Sequence, residues 1–408
     1  MKAVGIHVFA GGFTMGVKEV TPVECQLEVH GFGMETAEQV AKVPVINCEA
    51  KKWPIMKGEF AYGNPRCTGF STITSGYDAN THGAFAKQTC DIQELCEYSA
   101  GKFDIVVWES VQQAYTTGRP LLDWAIKTHF APKHYRIAHV FINAASFGNA
   151  QQRKRYFFVA YRDDRNFNIV PPTISPWKPV MYDAIWKLRH RKTNEMPSKT
   201  EYDFDSYVKL TPNEKLCLPE LPNGWGLNMM GRFLIDKMPP DFQKIWRLRA
   251  SDMPFSLHCL NRVNWCTPSP TLHSSANRMV HPEHDRPLTV GEIATIMGWP
   301  GIPIGAAPVP QIAKGIVPAV GKWLAEQAQL YLNNHWGKED WESSYDAINS
   351  EWKGGDANGA LEKTFDLTTY SGHQYDIERY GVDVIQSHKL PMVRPSRSAD
   401  RETNHRVA

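Results

Sequence analysis

A cysteine in a short peptide bounded by proline and glycine is the first feature of the chain that could do chemistry. The peptide GNPRCTGFS, residues 63–71, holds Cys67 on a turn after a predicted strand, between Pro65 and Gly69. A thiol at a strand-to-helix turn can have its pKa lowered by the helix N-terminus and can act as a nucleophile. A buried structural cysteine is the alternative, and it is the more common case for a cysteine without other context.

An acid and two arginines occupy positions that favour a site nearby. Glu109 directly follows the apolar run DIVVW at residues 104–108, where an α/β sheet presents functional groups. Arg153 and Arg155 lead into a second apolar run, FFVA, so their guanidinium groups are expected near a site. Taken alone, the glutamate could cap a helix and the arginines could form a solvated face.

Short apolar runs alternate with helical stretches in the first third of the chain and must position these groups. The pattern predicts strands over residues 4–9, 24–28, 104–108, 136–143 and 155–159, another ending at 60–62, and a helix over about 13–20. This alternation predicts an α/β fold with a parallel sheet that binds ligands at the carboxyl ends of its strands. Further on, Thr289 and Glu292 form a capping box that opens a helix, and residues 311–327 are predicted to form one amphipathic helix.

Composition excludes several classes of protein. With 408 residues, 42% hydrophobic and 22% charged, the chain is globular rather than disordered. A net charge of +2 gives no global signal for nucleic acid, although a local basic face is compatible with it. The first residues do not form a secretory signal, and no apolar run of about 18 residues exists, which predicts no membrane contact. Eight cysteines without a CxxC pair predict a reduced, cytoplasmic protein with no metal site.

Six segments resemble, in order, the motifs of the DNA cytosine-5 methyltransferase family. They run from residue 5 to about residue 327 and are FAGGFTMG (9–16), NPRCTGFS (64–71), WESV (108–111), FGNAQQRKR (147–155), RPLTVGEIATIMGWP (286–300) and QIAKGIVPAVGKWLA (311–325). Each motif alone is weak evidence, whereas six in order are strong evidence.

The resemblance implies a Rossmann-like, S-adenosylmethionine-dependent methyltransferase fold with a mostly parallel sheet and an inserted, smaller target-recognition domain. Residues 1–165 would form the first part of the catalytic domain, and residues 166–265 the target-recognition region. The last motifs, at 266–330, would return to the catalytic domain. Residues 331–408 lie outside the resemblance and form an extension of unknown role.

The resemblance also implies a chemical role for the residues of each motif. Cys67 would attack carbon 6 of a cytosine flipped out of double-stranded DNA, and Glu109 would stabilise the protonated ring. Arg155, with Arg153 beside it, would hold the base oxygen and orient the thiolate. S-Adenosyl-L-methionine would be held by Phe9, Ala10, Gly11, Gly12, Glu28, Pro65, Lys314 and Ile316, with Glu28 accepting from the ribose hydroxyls.

The predicted DNA contacts lie in a compact basic run and near the cysteine. The run WKLRHRK, at 186–192, is suited to phosphate contacts, although a solvated helix face is an equally good interpretation. A second basic patch, IWRLRA at 245–250, shares that ambiguity, and His82 is a further possible contact. The residues predicted to bind DNA are Ser71, Lys187, Arg189, Arg191 and Lys192.

The chain departs from the family pattern in four motifs. His7 stands where the opening loop usually has an acid, and that loop is two residues shorter than usual. The other three changes are Arg66 for the usual proline, Ser110 for an asparagine, and Ala313–Lys314 for Gly-Asn. Arg66 adds a positive charge next to Cys67, which is expected to lower the pKa of the thiol if the two groups are close. Together the departures suggest a divergent, phage-type enzyme that acts in the host cytoplasm.

Three alternatives stay open from the sequence. One is a non-catalytic DNA-binding or regulatory relative whose shortened loop no longer holds the cofactor. Another is a methyltransferase that acts on RNA, since a tRNA-methylating branch shares this motif set. The last keeps the Cys67 chemistry but transfers a different one-carbon group. The sequence names no protein partner.

Overall fold

The computed structural model describes most of the first 333 residues and two short strands beyond them. Described are residues 1–67, 82–116, 118–162, 179–227, 260–274 and 276–333, with 70, 169, 170, 172, 236, 240, 243, 352–354 and 362–367. Among these residues, no helix combines the length and the apolar character that crossing a bilayer requires. The predicted basic patch at 245–250 and the predicted DNA contact Ser71 lie outside the described residues.

A central sheet of nine strands is formed within the described residues. In chain order the strands are β1 (Ala3–Ile6), β2 (Val23–Glu28), β3 (Val45–Asn47), β4 (Gly58–Gly63), β5 (Phe103–Ser110), β6 (Tyr135–Asn143) and β7 (Lys154–Arg162), then β12 (Trp352–Gly354) and β13 (Glu362–Leu367). Two small pairs lie elsewhere: β8 (Asn194–Glu195) with β9 (Ser206–Tyr207), and β10 (Asn261–Arg262) with β11 (Met279–Val280).

The order across the central sheet is β12-β13-β6-β7-β5-β4-β1-β2-β3. The ladder from β3 to β5 is parallel, whereas β7 runs antiparallel between β5 and β6. Because of this reversal, the first residues of β7 lie at the carboxyl ends of β5 and β6. A mostly parallel sheet is therefore confirmed, and the antiparallel β7 brings an extra chain segment to its functional edge.

Helices cover both faces of the sheet. They are α1 (Gly12–Val17), α2 (Met34–Gln39), α3 (His82–Ser99), α4 (Gln113–Thr116), α5 (Arg119–Ala125), α6 (Met181–Ile185), α7 (Pro212–Cys217), α8 (Val290–Met297), α9 (Pro308–Lys314) and α10 (Pro318–Asn333). Thr289 caps α8 and Glu292 completes the predicted capping box. Alternate residues of β5 enter different cores: Val107 packs with α1 and α8–α10, and Trp108 packs with α3 and α5.

Two predicted boundaries were wrong. The first strand ends at Ile6 and does not reach Phe9, because His7 and Phe9 both have a left-handed backbone, with φ of 54° and 58°. The single helix predicted over residues 311–327 is two helices, α9 and α10. Pro318 begins α10, and a proline lacks the N–H that a continuous helix would need and disfavours helical backbone in the residue before it.

The extension beyond residue 331 contributes to the sheet. Strand β13 pairs in parallel with β6, with Glu362 opposite Ile137 and Leu367 opposite Ile142, and β12 pairs with β13. Without these strands β6 would present an open edge, and open edges invite pairing with other chains.

Candidate active site

The loop that carries Cys67, called the Cys67 loop and described over residues 64–67, begins where β4 ends. Asn64 donates its backbone N–H to the carbonyl of His7, and Phe70 donates its backbone N–H to the carbonyl of Cys67 at 3.0 Å. Cys67 itself is half-buried, whereas Pro65 is buried. The loop is thus attached to the end of β1 and places the thiol at the carboxyl edge of the parallel ladder.

The pKa of the Cys67 thiol is raised, contrary to the lowering expected from the sequence. Burial is the largest cause, and the charge of Glu109 adds to it. Arg155 and Arg153 act in the opposite direction and stabilise the thiolate. The Arg66 side chain points to another partner, Asp91, so it does not supply the predicted activation.

Glu109 lies near the end of β5, is only 2% exposed, and is held from two sides. Arg155 Nε lies 2.7 Å from Oε1 of Glu109, and Asn64 Nδ2 donates to Oε2 at 2.5 Å. Burial raises the pKa of Glu109, while Arg155 and Arg153 oppose that shift. A raised pKa makes a buried carboxyl group hold its proton more firmly than a free glutamate does, and such a group can donate that proton to a bound base.

The side chains of Arg155 and Arg153 have different partners, although only Lys154 separates the two residues in the chain. Arg155 is 18% exposed and pairs with Glu109. Arg153 is 3% exposed and donates to three backbone carbonyls: Leu272 at 2.9 Å, Ala313 at 2.9 Å and Gly315 at 2.8 Å. These hydrogen bonds engage both terminal nitrogens of Arg153 and connect β7 to the segments that contain Leu272, Ala313 and Gly315. Neither terminal nitrogen of Arg153 is therefore available to bind a base.

Two adjoining cavities meet at Arg155. The smaller has room for about one water molecule, about 10 Å³, and is lined by Glu109, Ile142, Ala144, Arg153, Arg155, Phe157, Ile316, Val317 and Val320. The larger and more open one has a volume of about 300 Å³ and is lined by Val111, Gln112, Gln113, Gln152, Lys154, Arg155 and Thr271. The acid and both arginines therefore line one cavity.

Glu28, at the end of β2, holds the loop that follows β1. Its Oε1 accepts the backbone N–H of Val8 at 2.6 Å and of Phe9 at 2.9 Å, and its Oε2 is buried without a hydrogen-bond partner. Burial raises the pKa of Glu28 to about 7, against the opposing influence of His7 and of the two backbone donors. The unpartnered Oε2 leaves one acceptor free for a ligand hydroxyl, and the predicted contact of Glu28 with a ribose stays a prediction.

The opening loop runs from the end of β1 at Ile6 to the start of α1 at Gly12, and its two glycines are needed for packing within the protein. Gly11 has φ of 84°, and a Cβ built there would lie 2.8 Å from the Cβ of Ala41. A Cβ on Gly12 would lie 2.7 Å from the carbonyl oxygen of Ile316. The room beside both glycines is filled by the chain itself, and a direct cofactor contact for Ala10, Gly11 and Gly12 stays a prediction.

Aromatic rings and one lysine meet beside the opening loop. The rings of Phe9 and Phe32 pack edge to face with centroids 6.3 Å apart, and Lys314 Nζ lies 4.6 Å from the centroid of Phe32. Phe32 follows Glu28 by four residues, and its type and position after β2 are the signal that the sequence prediction missed. The three side chains form one surface against which a flat, apolar ligand such as a purine could pack.

The predicted basic run contains two cations that are engaged within the protein and two that are exposed. Arg191 makes a bidentate ion pair with Asp205, at 2.6 and 2.7 Å, and Arg189 stacks on Trp186 with its guanidinium carbon 3.5 Å from the ring centroid. Lys187 and Lys192 are exposed. Half of the predicted run is therefore engaged within the protein, and the lysines are the better candidates for phosphate contacts. The side chain of His82 lies outside the described residues.

A buried charge network lies behind the Cys67 loop. Ligand-type atoms of His7, Asp91 and Glu94 lie within 4.8 Å of one another, with His7 Nε2 3.2 Å from Glu94. Both oxygens of Asp91 accept hydrogen bonds from Arg66, and His30 Nε2 lies 3.3 Å from the same carboxylate. The Arg66 guanidinium thus supplies the positive charge beside Asp91, and the absence of a resident metal stays a prediction.

The fold is Rossmann-like, and the edge of its mostly parallel sheet presents a cysteine, an acid and an arginine. Residues 59–321 match the family model of the C-5 cytosine-specific DNA methylases. The chain belongs to that family.

Solved structures of methyltransferases share the fold at low sequence identity. One is described as a DNA modification methyltransferase encoded within a prophage of E. coli: 15% identity, TM-score 0.55, covering 82% of this chain and 99% of the other. Another is the Entamoeba histolytica methyltransferase EhMeth: 11% identity, TM-score 0.51, covering 83% and 99%. At such identities the likeness concerns the fold.

Proposed function

We propose that this protein is a DNA (cytosine-5) methyltransferase that uses Cys67 as a covalent nucleophile on a cytosine flipped out of double-stranded DNA. The observation that carries the proposal is the meeting of Glu109 and Arg155 in one cavity, with the Cys67 thiol close enough for both charges to act on its pKa. An acid, a cation and a thiol are the three groups that this reaction requires of a protein.

Proton and electron flow at the base follow from these groups. The Cys67 thiolate adds to ring carbon 6 while Glu109 donates a proton to the ring nitrogen, so no full negative charge builds up on the ring. Carbon 5 becomes enamine-like and nucleophilic. After carbon 5 has gained its methyl group it loses its proton to water, and the electrons left behind expel Cys67 as the thiolate. The ring nitrogen returns its proton to Glu109, which restores the neutral aromatic base and the acid. Arg155 holds Glu109 in place and stabilises the thiolate through its charge.

S-Adenosyl-L-methionine is the proposed cofactor and supplies the methyl group as a sulfonium donor. Glu28 would accept from the ribose through its unpartnered Oε2, and Phe9 and Phe32 would pack against the purine. Lys314 contacts Phe32, and the carbonyl of Ile316 lies beside Gly12. Pro65 is buried and lies two residues before Cys67.

Duplex DNA is the proposed substrate because a cytosine must leave the stack before a thiol can reach carbon 6, at a cost of a few kcal/mol. The larger cavity beside Arg155 brings Gln113, Gln152 and Lys154 to the entrance of the smaller one. Amide and ammonium groups of this kind can contact the flanking backbone and base edges once the target base is extruded. Exposed Lys187 and Lys192 add charge for phosphate contacts.

The decisive experiment is adduct trapping with duplex DNA that contains 5-fluorocytosine. Fluorine cannot leave carbon 5 as a proton does, so an active enzyme stays attached to its substrate. We expect a denaturant-resistant adduct that requires S-adenosylmethionine and is lost in Cys67→Ser. Cys48→Ser is the matched control, because Cys48 is also half-buried but follows β3, at the opposite edge of the sheet from β6 and β7.

Other outcomes of the same experiment identify the alternatives. An adduct on fluorinated RNA but not on DNA would move the substrate class to RNA. A product mass other than that of 5-methylcytosine would indicate a different one-carbon group. An absence of both the adduct and of S-adenosylmethionine binding by calorimetry, in a folded protein, would contradict the proposal and favour the non-catalytic relative.

A further inference from the structure

The residue before the nucleophile is tied to a buried carboxylate by three donors. Arg66 Nε donates to Asp91 Oδ2 at 2.8 Å and a terminal nitrogen of Arg66 donates to Oδ1 at 2.7 Å. The backbone N–H of Arg66 also donates to Oδ2, at 3.2 Å. One carboxylate thus fixes both the side chain and the main chain of the residue whose carbonyl carbon bonds to the nitrogen of Cys67.

Asp91 is the fixed end of this pair. It is fully buried on α3, whereas the side chain of Arg66 is 37% exposed. Burial by itself would raise the pKa of Asp91, but the hydrogen bonds from Arg66 and the nearby His7 outweigh it and hold the pKa well below its usual range. A buried carboxylate without its partner is costly, which gives the Arg66 position a strong energetic preference.

The same carboxylate also contacts the segment that follows β2, where the cofactor is proposed to bind. His30 Nε2 lies 3.3 Å from Asp91 Oδ1, and His30 follows Glu28 by two residues. His7, which shifts the Asp91 pKa, precedes the backbone N–H groups that Glu28 binds. Asp91 therefore joins the loop that carries the nucleophile to the segments proposed to hold the nucleoside.

We propose that Arg66 and Asp91 are positioning residues that hold the Cys67 loop in the geometry required for attack on the target base. This proposal rests on the proposed function of Cys67. The Arg66 guanidinium is bound to Asp91, so the contribution of the pair is the location of the Cys67 backbone rather than a contact with substrate. Misplacing a reacting atom by about 1 Å can cost about 100-fold in rate.

The test compares Arg66→Ala, Asp91→Asn, the double variant and Arg66→Lys in the full chain, with S-adenosylmethionine and fluorinated duplex DNA. We expect the adduct rate at saturating DNA to fall roughly 10- to 100-fold in each single variant, while the half-saturating DNA concentration stays within about twofold. The double variant should be no slower than the slower single variant, because both changes remove one interaction. Arg66→Lys keeps the backbone donor and one charged donor, and should recover part of the rate.

A substrate-free readout separates this proposal from the proposed function. Iodoacetamide labelling of Cys67, followed by peptide mass spectrometry, needs neither DNA nor cofactor. We expect labelling of Cys67 to change several-fold in Arg66→Ala and Asp91→Asn, with labelling of half-buried Cys48 unchanged as an internal reference. A wild-type protein that forms no adduct would sink the proposed function, whereas this labelling result would still show whether the pair holds the loop.

Three results would overturn the proposal. The first is a wild-type adduct rate and wild-type Cys67 labelling in Arg66→Ala. The second is a loss of rate that follows the loss of folded protein in thermal unfolding, which would make the pair merely structural. The third is a change in the half-saturating DNA concentration without a change in the rate at saturating DNA, which would make Arg66 a phosphate contact. Lys322→Ala, which breaks an exposed ion pair to Glu19, is the matched control.

Discussion

Asn64 reaches across from the end of β4 to the neighbouring strand β5 and donates a hydrogen bond to Glu109, with Nδ2 2.5 Å from Oε2. Gly63 and Trp108 are partners in the parallel ladder, so the residues that follow them, Asn64 and Glu109, come side by side at the carboxyl edge. Asn64 lies three residues before Cys67 in the chain. One side chain thus relates the position of the acid to the position of the nucleophile.

Replacing Asn64 by alanine should slow the chemistry through Glu109. The Asn64 bond is one of the groups that oppose the rise of the Glu109 pKa, so its loss leaves a buried oxygen without a donor and raises that pKa further. We expect the saturated adduct rate to fall about tenfold, equivalent to about 1.4 kcal/mol. Gln327→Ala removes another buried amide, one that accepts from Val170, and should keep the wild-type rate.

The pKa of Cys67 should respond in opposite directions to changes at its two charged neighbours. Burial and the charge of Glu109 raise this pKa and Arg155 lowers it. Glu109→Gln should therefore shift the pH midpoint of Cys67 alkylation downward, and Arg155→Met should shift it upward. Mass spectrometry of the Cys67 peptide after iodoacetamide labelling across pH measures both, and two shifts of the same sign would contradict the electrostatic account.

Glu109→Gln should nevertheless be a poor enzyme. The amide cannot donate a carboxyl proton to the ring, so we expect the adduct rate to fall roughly 100- to 1,000-fold, the range found when a group that stabilises developing charge is removed. A more reactive thiol combined with a slower adduct would separate activation of the nucleophile from stabilisation of the ring.

Arg153 should matter for stability more than its place beside Arg155 suggests. Arg153→Met leaves three buried carbonyls without their donors, and each unsatisfied group costs about 1–3 kcal/mol. We expect the free energy of unfolding in urea to fall by roughly 3 kcal/mol or more. Lys322→Met on the surface should change it by less than about 0.5 kcal/mol, and equal effects of the two substitutions would count against the assignment.

Glu28 should show a trade-off between stability and cofactor binding. Its folded pKa of about 7 lies above the unfolded value of 4.5, so its contribution to stability is present below pH 4.5 and is lost as the pH rises through 7. At pH 8, Glu28→Gln without cofactor should therefore be more stable than wild type by roughly 1–3 kcal/mol, with little difference at pH 4.5.

Calorimetry on the same Glu28→Gln variant should show weaker binding of S-adenosylmethionine, because the amide replaces the free acceptor with a donor. The control is Glu19→Gln, whose side chain is exposed and should alter neither quantity. Unchanged cofactor affinity in Glu28→Gln would remove Glu28 from the cofactor site.

The basic run should contribute to DNA binding unevenly. Lys187→Ala and Lys192→Ala should each reduce the slope of log affinity against log salt by about one, the change expected for one lost phosphate contact. Arg191→Ala should reduce it less, because Arg191 already pairs with Asp205. Filter binding to a duplex between about 50 and 200 mM salt measures all three, and an equal or larger effect of Arg191 would reverse this order.

The strands that carry the site were predictable because their signal is local. The apolar run before Glu109 and the one after Arg155 each specify a buried strand, and both formed as β5 and β7. The capping box of Thr289 and Glu292 also formed, since its two hydrogen bonds join residues three positions apart. From the sequence, Glu109 could therefore be assigned to the end of one strand, and Arg153 and Arg155 to the start of another.

By itself, the sequence determined which residue types the chain offers at the ends of its strands. The tertiary structure decided what each of them touches: that β7 runs antiparallel, that Arg153 binds backbone rather than base, and that Arg66 turns from Cys67 to Asp91. The physical reason is that a side chain several ångströms long can reach any of several partners, and the choice depends on which segments distant in sequence the fold brings alongside. Arg66 and Asp91 are 25 positions apart, and only the packing of α3 behind the Cys67 loop makes them neighbours.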